Sequence, residues 1–239
     1  NKDVDAYVTA ADDAEKVYVE GFDKDEYKNL DKTQKGDYDF SSTKVYVNGA
    51  EVSGLTAAQV ANRDYNGTIV ELYVDSNDTD KVTRIVLTQG YLTKVTDKDE
   101  DTITLKIYNP WLSVSGSTVT YKDDTKKDDD NFDKVSGYEK DDYFLIYTEA
   151  ADVDGKVLAT GDVKVVSGKV TTTKVTDHAD GFNGYITVDG TKYTLASAYN
   201  ETALAAGDEF DFYLDENGYV IGAEKTKDAD AKIDEVYYV

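Results

Sequence analysis

The feature that most constrains this chain is that it repeats itself. The pentapeptide Thr-Lys-Val-Thr-Asp occupies residues 93–97 and again residues 173–177. A longer, looser match joins Gly-Thr-Ile-Val-Glu-Leu-Tyr-Val-Asp at 67–75 to Gly-Asp-Glu-Phe-Asp-Phe-Tyr-Leu-Asp at 207–215. A third copy, Asp-Tyr-Phe-Leu-Ile-Tyr-Thr-Glu, lies at 142–149. Recurrence of one supersecondary unit points to an array of small modules rather than to a catalytic chassis built once.

The grammar of the unit is clearest near the C-terminus. Residues 170–175 read as a strand and 177–184 as a polar turn. Residues 185–188 and 191–195 flank Asp189-Gly190, a pair that supplies the positive φ angles of a two-residue type I′ hairpin. An Ala-rich stretch, 196–206, suits one or two helical turns. A second hairpin pairs 210–214 with 219–221 across a turn at 215–218. An earlier copy repeats these signals: 45–47 leads into Asn48-Gly49, 55–61 is Ala-rich, and 68–74 and 82–87 flank a turn at 75–80. In the middle copy 114–121 aligns with 188–195, and an acidic loop at 122–133 replaces the Ala-rich segment.

These signals predict an all-β chain of tandem small β-barrel or sandwich units with one or two short helices. The expected divisions are 1–34, the end of a preceding unit or a linking strand region; 35–90, 91–167 and 168–227, three β units; and 228–239, the start of a further unit or a linking strand. The stretch 230–239 ends on a strand pattern like that of 14–19, as the opening of another repeat would. Strand alternation sorts the faces of the shared strand. Val70, Leu72 and Val74, Phe144 and Ile146, and Phe210, Phe212 and Leu214 form the core side. Glu71 or Asp211 and then Tyr73, Tyr147 and Tyr213 form the other. A tyrosine fixed in that register suits packing between units, or a half-exposed strand position favoured by propensity.

Composition narrows the partners. Hydrophobic residues make up 40% of the chain, enough for packed cores despite 31% charge. A formal charge of −23 repels phosphate backbones and anionic lipid, so neither nucleic acid nor membrane insertion is expected. No apolar run approaches the roughly 18 residues of a membrane span. The absence of cysteine removes disulfides, thiolate metal sites and cysteine nucleophiles.

Candidate chemistry is sparse. His178 is the sole histidine and falls in a Gly- and Asp-rich turn, so no catalytic relay is built around it, and no catalytic residue is expected. Calcium is the one cofactor the residues suggest. Asp97, Asp99 and Asp101 carry the first three spacings of an EF-hand loop, but Thr102 and Tyr108 stand where that loop needs Gly and Glu. Turn chemistry explains the same aspartates. Trp111, next to the lone Pro110, serves either as a sugar-stacking platform with Tyr73, Tyr147 and Tyr213 or as the cap of a small core.

The segments 186–195 (Ile-Thr-Val-Asp-Gly-Thr-Lys-Tyr-Thr-Leu) and 206–222 resemble the small β repeats of exported Gram-positive surface proteins that also carry S-layer-homology anchoring modules. The resemblance is good over 170–225 and fair over 44–85. It implies an extracellular, cell-surface location and a scaffolding or adhesive role, with self-association or neighbouring surface-protein domains as partners. Such repeats bring no catalytic residues with them. The leading expectation is therefore a non-catalytic scaffold, spacer or lattice subunit. The alternatives are a glycan- or host-protein-binding module and an accessory region of an extracellular hydrolase.

Overall fold

The computed structural model describes residues 14–19, 39–61, 66–75, 77–108, 117–123, 131–178, 181–199 and 203–229. Among the described residues, fifteen strands fall into three five-stranded sheets in chain order. The first sheet holds β1 (Ala14–Val19), β2 (Lys44–Val47), β3 (Ala50–Glu51), β4 (Ile69–Asp75) and β5 (Asp78–Thr88). The second holds β6 (Tyr91–Lys98), β7 (Thr102–Ile107), β8 (Thr118–Lys122), β9 (Tyr143–Thr148) and β10 (Val157–Asp162). The third holds β11 (Lys164–His178), β12 (Gly181–Val188), β13 (Thr191–Thr194), β14 (Glu209–Leu214) and β15 (Val220–Lys227). Two short helices, α1 (Ala57–Ala61) and α2 (Asn131–Val135), and a 3-10 turn at Glu149–Ala151 complete the regular elements among the described residues.

The second and third sheets share one strand order. The second runs β10-β9-β6-β7-β8 and the third, reversed, β15-β14-β11-β12-β13. In each, three strands follow one another antiparallel, the fourth returns to lie beside the first, and the fifth pairs outside the fourth. That is a Greek key extended by one strand, the connectivity of a five-stranded barrel of the OB type. In the third sheet a parallel bridge between Leu195 and Val220 draws the third strand round to the fifth and closes the ring. In the second, α2 covers the matching edge with side chains. Asn131 Oδ1 accepts the Val157 N–H at 2.8 Å, and Lys134 Nζ donates to the Val157 and Leu158 carbonyls at 2.8 and 3.2 Å. An edge strand left bare would template pairing with another chain. The first sheet runs β1-β4-β5-β2-β3, with β2 parallel to β5 from Lys44 opposite Arg84 to Val47 opposite Leu87.

Several expectations need adjustment. Residues 14–19, within the stretch expected to be the end of a preceding unit or a linking strand region, form the edge of the first sheet, antiparallel to β4. The third sheet begins at Lys164 rather than at 168, because β11 is a 15-residue strand that serves two neighbours along its length. The acidic stretch 122–133 hides a helix start: Phe132 and Val135, three residues apart, are both buried. By contrast, the described part of the Ala-rich segment 196–206 forms turns and no helix. The pentapeptide marks the same strand twice, but not the same positions on it. Thr93 faces Phe144, whereas Gly168, not Thr173, faces the corresponding Phe210.

The hairpin turns do follow their sequences. Asn48 and Gly49 (φ 45° and 83°) and Asp189 and Gly190 (φ 46° and 87°) all take the left-handed conformations of a type I′ turn. Val70, Leu72, Phe144, Ile146, Phe210, Phe212 and Leu214 are all buried, and the Val74 side chain lies outside the described residues. The first two sheets pool their cores into one cluster, while the third has its own around Phe210, Phe212 and Leu214. Phe212→Ala should therefore cost about 3–5 kcal/mol, measured by urea unfolding. A loss under about 1 kcal/mol would mean that the third core is not packed as described.

Candidate functional site at the junction of the three sheets

The notable chemistry lies where the sheets meet. Between the first and second, Asn48 at the tip of the β2–β3 hairpin is fully buried. Its Nδ2 donates to the Gln89 carbonyl at 2.9 Å and to the Thr148 carbonyl at 3.0 Å, and its Oδ1 accepts the Gln89 N–H at 2.9 Å. The backbone N–H of Asn48 donates to the Leu87 carbonyl at 2.9 Å. One residue thus sets the turn and ties the first sheet both to its connector and to the end of β9. Buried amides satisfied this fully fix geometry, because any displacement strands several polar groups at once.

Between the second and third sheets lies a separate apolar cluster of Leu92, Leu145, Tyr147, Ala196, Tyr213 and Ile221. Tyr143 and Tyr213 stack across it with ring centroids 4.1 Å apart and 24° between planes. The Lys94 ammonium sits 4.9 Å over the Tyr143 ring and 3.4 Å from both Asp141 and Glu224. The Tyr213 hydroxyl donates to Glu224 at 3.2 Å. Burial pushes the Tyr143 and Tyr213 hydroxyls well above the usual phenol range. Burial alone would lower the Lys94 ammonium; Tyr143, Glu224 and Asp141 outweigh it and hold the group charged.

A small, solvent-open crevice lies where all three sheets converge. Its lining includes Gly67, Thr88, Tyr147, Asp215, Glu216 and Asn217. The Tyr147 ring lies on Gly90, where a Cβ would come within 2.8 Å of it, and its hydroxyl reaches Glu216 at 3.5 Å. First and third sheets meet directly here. The Ser197 N–H and hydroxyl both donate to the Asn66 carbonyl, at 2.8 and 3.2 Å. Asp215 is buried, and its Oδ1 accepts the N–H groups of Asn217 and Tyr219 at 3.0 and 2.9 Å. Desolvation pushes its carboxyl up to about 6 despite these bonds.

The residues singled out from sequence fall in different places. Tyr147 and Tyr213, from matching strand positions, enter the junction of the second and third sheets from opposite sides and are 7% and 5% exposed. Tyr73 is half-buried on β4, outside that cluster. Trp111 lies outside the described residues, as does the side chain of His178, whose backbone ends β11. Asp97, Asp99 and Asp101 are exposed about the β6–β7 turn; Asp97 faces Lys140 at 3.4 Å. Among the described residues, no three carboxylates or imidazoles gather as metal ligands would. Asn48, Tyr143 and Asp215 were not picked out from sequence. Each carried a local signal, turn or strand start, that already accounted for its identity.

Asn48 can be dissected. Asn48→Gly keeps the left-handed turn and removes only the side-chain clasp, so it should cost about 3 kcal/mol through the polar groups left unpaired. Asn48→Ala should cost about 1–2 kcal/mol more, from the left-handed backbone. Thermal unfolding of both variants checks this; equal losses would remove the turn from the account. Tyr213→Ala should cost at least about 2 kcal/mol from lost burial and stacking. The loss should shrink markedly in a Tyr143→Ala background if the two rings act as a pair.

No protein-family model matches this chain, and no curated protein sequence is similar to it.

Proposed function

We propose that this chain is a non-catalytic structural and interaction region of a bacterial cell-surface protein of the S-layer type, built from tandem copies of one small barrel and serving as scaffold, spacer or lattice subunit. The observation that carries this reading is the use made of the outer faces. The faces of β9 and β14 that could have offered aromatic side chains to a ligand are spent on each other, through Tyr143, Tyr147 and Tyr213. The outcome is a block with a polar exterior. Among the described residues, Val165 is the one large apolar side chain that stands exposed.

The outward residues of β7 and β8 suit contacts with neighbouring surface domains or further copies. They are Thr102, Thr104 and Lys106 opposite Lys122, Thr120 and Thr118. The threonine hydroxyls pair at 2.9 Å across the centre. Among the described residues, Lys106 and Lys122 make no ion pair, in a chain rich in carboxylates. Sugar stacking, by contrast, needs an aromatic face open to the ligand. Tyr143 and Tyr213 occupy each other's faces, and Tyr108 carries Lys106 at 4.6 Å.

The reading predicts that intact cells producing the protein expose it. A membrane-impermeant amine reagent should label its surface lysines without lysis. Labelling seen only after lysis would sink the proposal. The purified chain should also show no turnover of glycosides, esters, peptides or phosphoesters; activity abolished by His178→Ala would overturn the non-catalytic part.

A further inference from the structure

β8 (Thr118–Lys122) is the outer strand of the second sheet and pairs on one side, with β7. That ladder fixes which way its backbone groups point. The Ile107 N–H donates to the Ser117 carbonyl and the Asp123 N–H to the Asp101 carbonyl, so the odd-numbered residues along β8 spend their N–H and C=O groups on β7. Those of Thr118, Thr120 and Lys122 therefore point away from the sheet. Among the described residues no hydrogen bond engages them. The side chains of α2 that cap β10, Asn131 and Lys134, do not bond to this row.

Edge strands are ordinarily blunted by bulges, prolines or inward charges. β8 has none of these. Its ladder with β7 runs without a register shift, unlike those of β6 with β7, β11 with β12 and β14 with β15. Its core face is also unfinished. Val119 is only partly buried, whereas Ile103, Leu105 and Ile107 on β7 are at most 1% exposed.

The outward row is self-complementary. Two copies of β8 set antiparallel about Thr120 place Thr120 opposite Thr120, and Thr118 opposite Lys122 on either side. All three residues then fall in hydrogen-bonded pairs, each exchanging two bonds. On the outer face the Thr104 and Thr120 hydroxyls, 2.9 Å apart, continue into the same pair of the second copy as a threonine ladder. Each Lys122 meets a threonine rather than another lysine. Val119 of each copy lies against Tyr121 of the other and gains the cover it lacks. Charge favours the same face. A chain of formal charge −23 repels its own copies, but the outward residues Thr102, Thr104, Lys106, Thr118, Thr120 and Lys122 include no carboxylate.

We propose that β8 is a homotypic docking edge, which joins two copies of this chain through an antiparallel, two-fold β8–β8 ladder centred on Thr120. The inference rests on the proposed role of β7 and β8 as a contact face. The contact is isologous and extends a sheet edge by strand addition. A five-residue strand from each copy buries well under the roughly 1,200 Å² of a stable complex. The dimer is accordingly weak and forms where copies are concentrated.

The chain has no cysteine, so the register is readable by oxidation of single-cysteine variants. In a hydrogen-bonded antiparallel pair the Cα atoms stand about 5.5 Å apart, within the span of a disulfide. Thr120→Cys should therefore cross-link to itself. Thr118→Cys and Lys122→Cys should each fail alone, because like positions lie more than about 13 Å apart along the strands, and should cross-link when mixed. Sedimentation equilibrium up to about 1 mM should show a reversible wild-type dimer. Thr118→Glu, which sets a carboxylate opposite Lys122 of the second copy, should tighten it roughly fivefold. Thr120→Lys, which opposes two like charges across the axis, should abolish it with the fold intact by circular dichroism. Thr120→Pro, which deletes an N–H that the β7 ladder does not use, should do the same. A monomer at every concentration, cross-linking of Thr118→Cys equal to that of Thr120→Cys, or a dimer that survives Thr120→Lys would each overturn the docking edge. None of these results bears on lysine labelling of intact cells, so the docking edge and the cell-surface reading fail separately.

Discussion

The structure depends on burying both faces of the fourth strand in its second and third modules. One face of β9 and β14 supplies Phe144, Ile146, Phe210 and Phe212 to the cores. The other supplies Leu145, Tyr147 and Tyr213 to the junction between modules. Modules of about 60–75 residues sit near the size at which a single core is marginal without staples. This chain has no disulfides to add. Inter-module burial takes their place, and the Tyr143–Tyr213 stack is its most specific element, since offset or parallel rings add directional energy to plain area.

The consequence is a closed group rather than an open line. In a linear repeat array each unit touches only its sequence neighbours. Here the second module holds the first through Asn48 and the third through the tyrosine stack, while the first also reaches the third at Asn66 and Gly67. Triangular contact restrains each module from two sides. Among the described residues, the three surfaces meet beside the buried carboxylate of Asp215.

Much of the fold is legible in the sequence because its signals are local. Asn48-Gly49 and Asp189-Gly190 specify their turns through φ, and period-two alternation separates Phe210 and Phe212 from Asp211 and Tyr213. Two limits have clear physical causes. First, an identical pentapeptide fixes strand propensity but not register. The β-bulges at Val95 and Val170 occupy matching positions in β6 and β11, yet the pentapeptide falls further along β11 than along β6, so sequence identity and structural equivalence part company. Second, local reading stops at the first sufficient reason. Asp75 and Asp215 form the same Asx turn, each accepting the N–H of the Asn two residues on. Only Asp215 is buried by another module, and nothing within its own hairpin encodes that. Asn48 is a parallel case: its turn role is readable, and its clasp on Thr148, a hundred residues away, is not.

The central claim, that three five-stranded modules behave as one cooperative block, is tested most directly by native-state hydrogen exchange resolved along the chain. At neutral pH and low denaturant, core amides of β6, β9, β11 and β14 should share a single opening free energy and fall together as denaturant rises. That coincidence is what shared burial between modules requires. If β11 and β14 exchanged through an opening several kcal/mol below that of β6 and β9, the third module would be an independent domain. The account of the tyrosine junction as structural cement would then be contradicted.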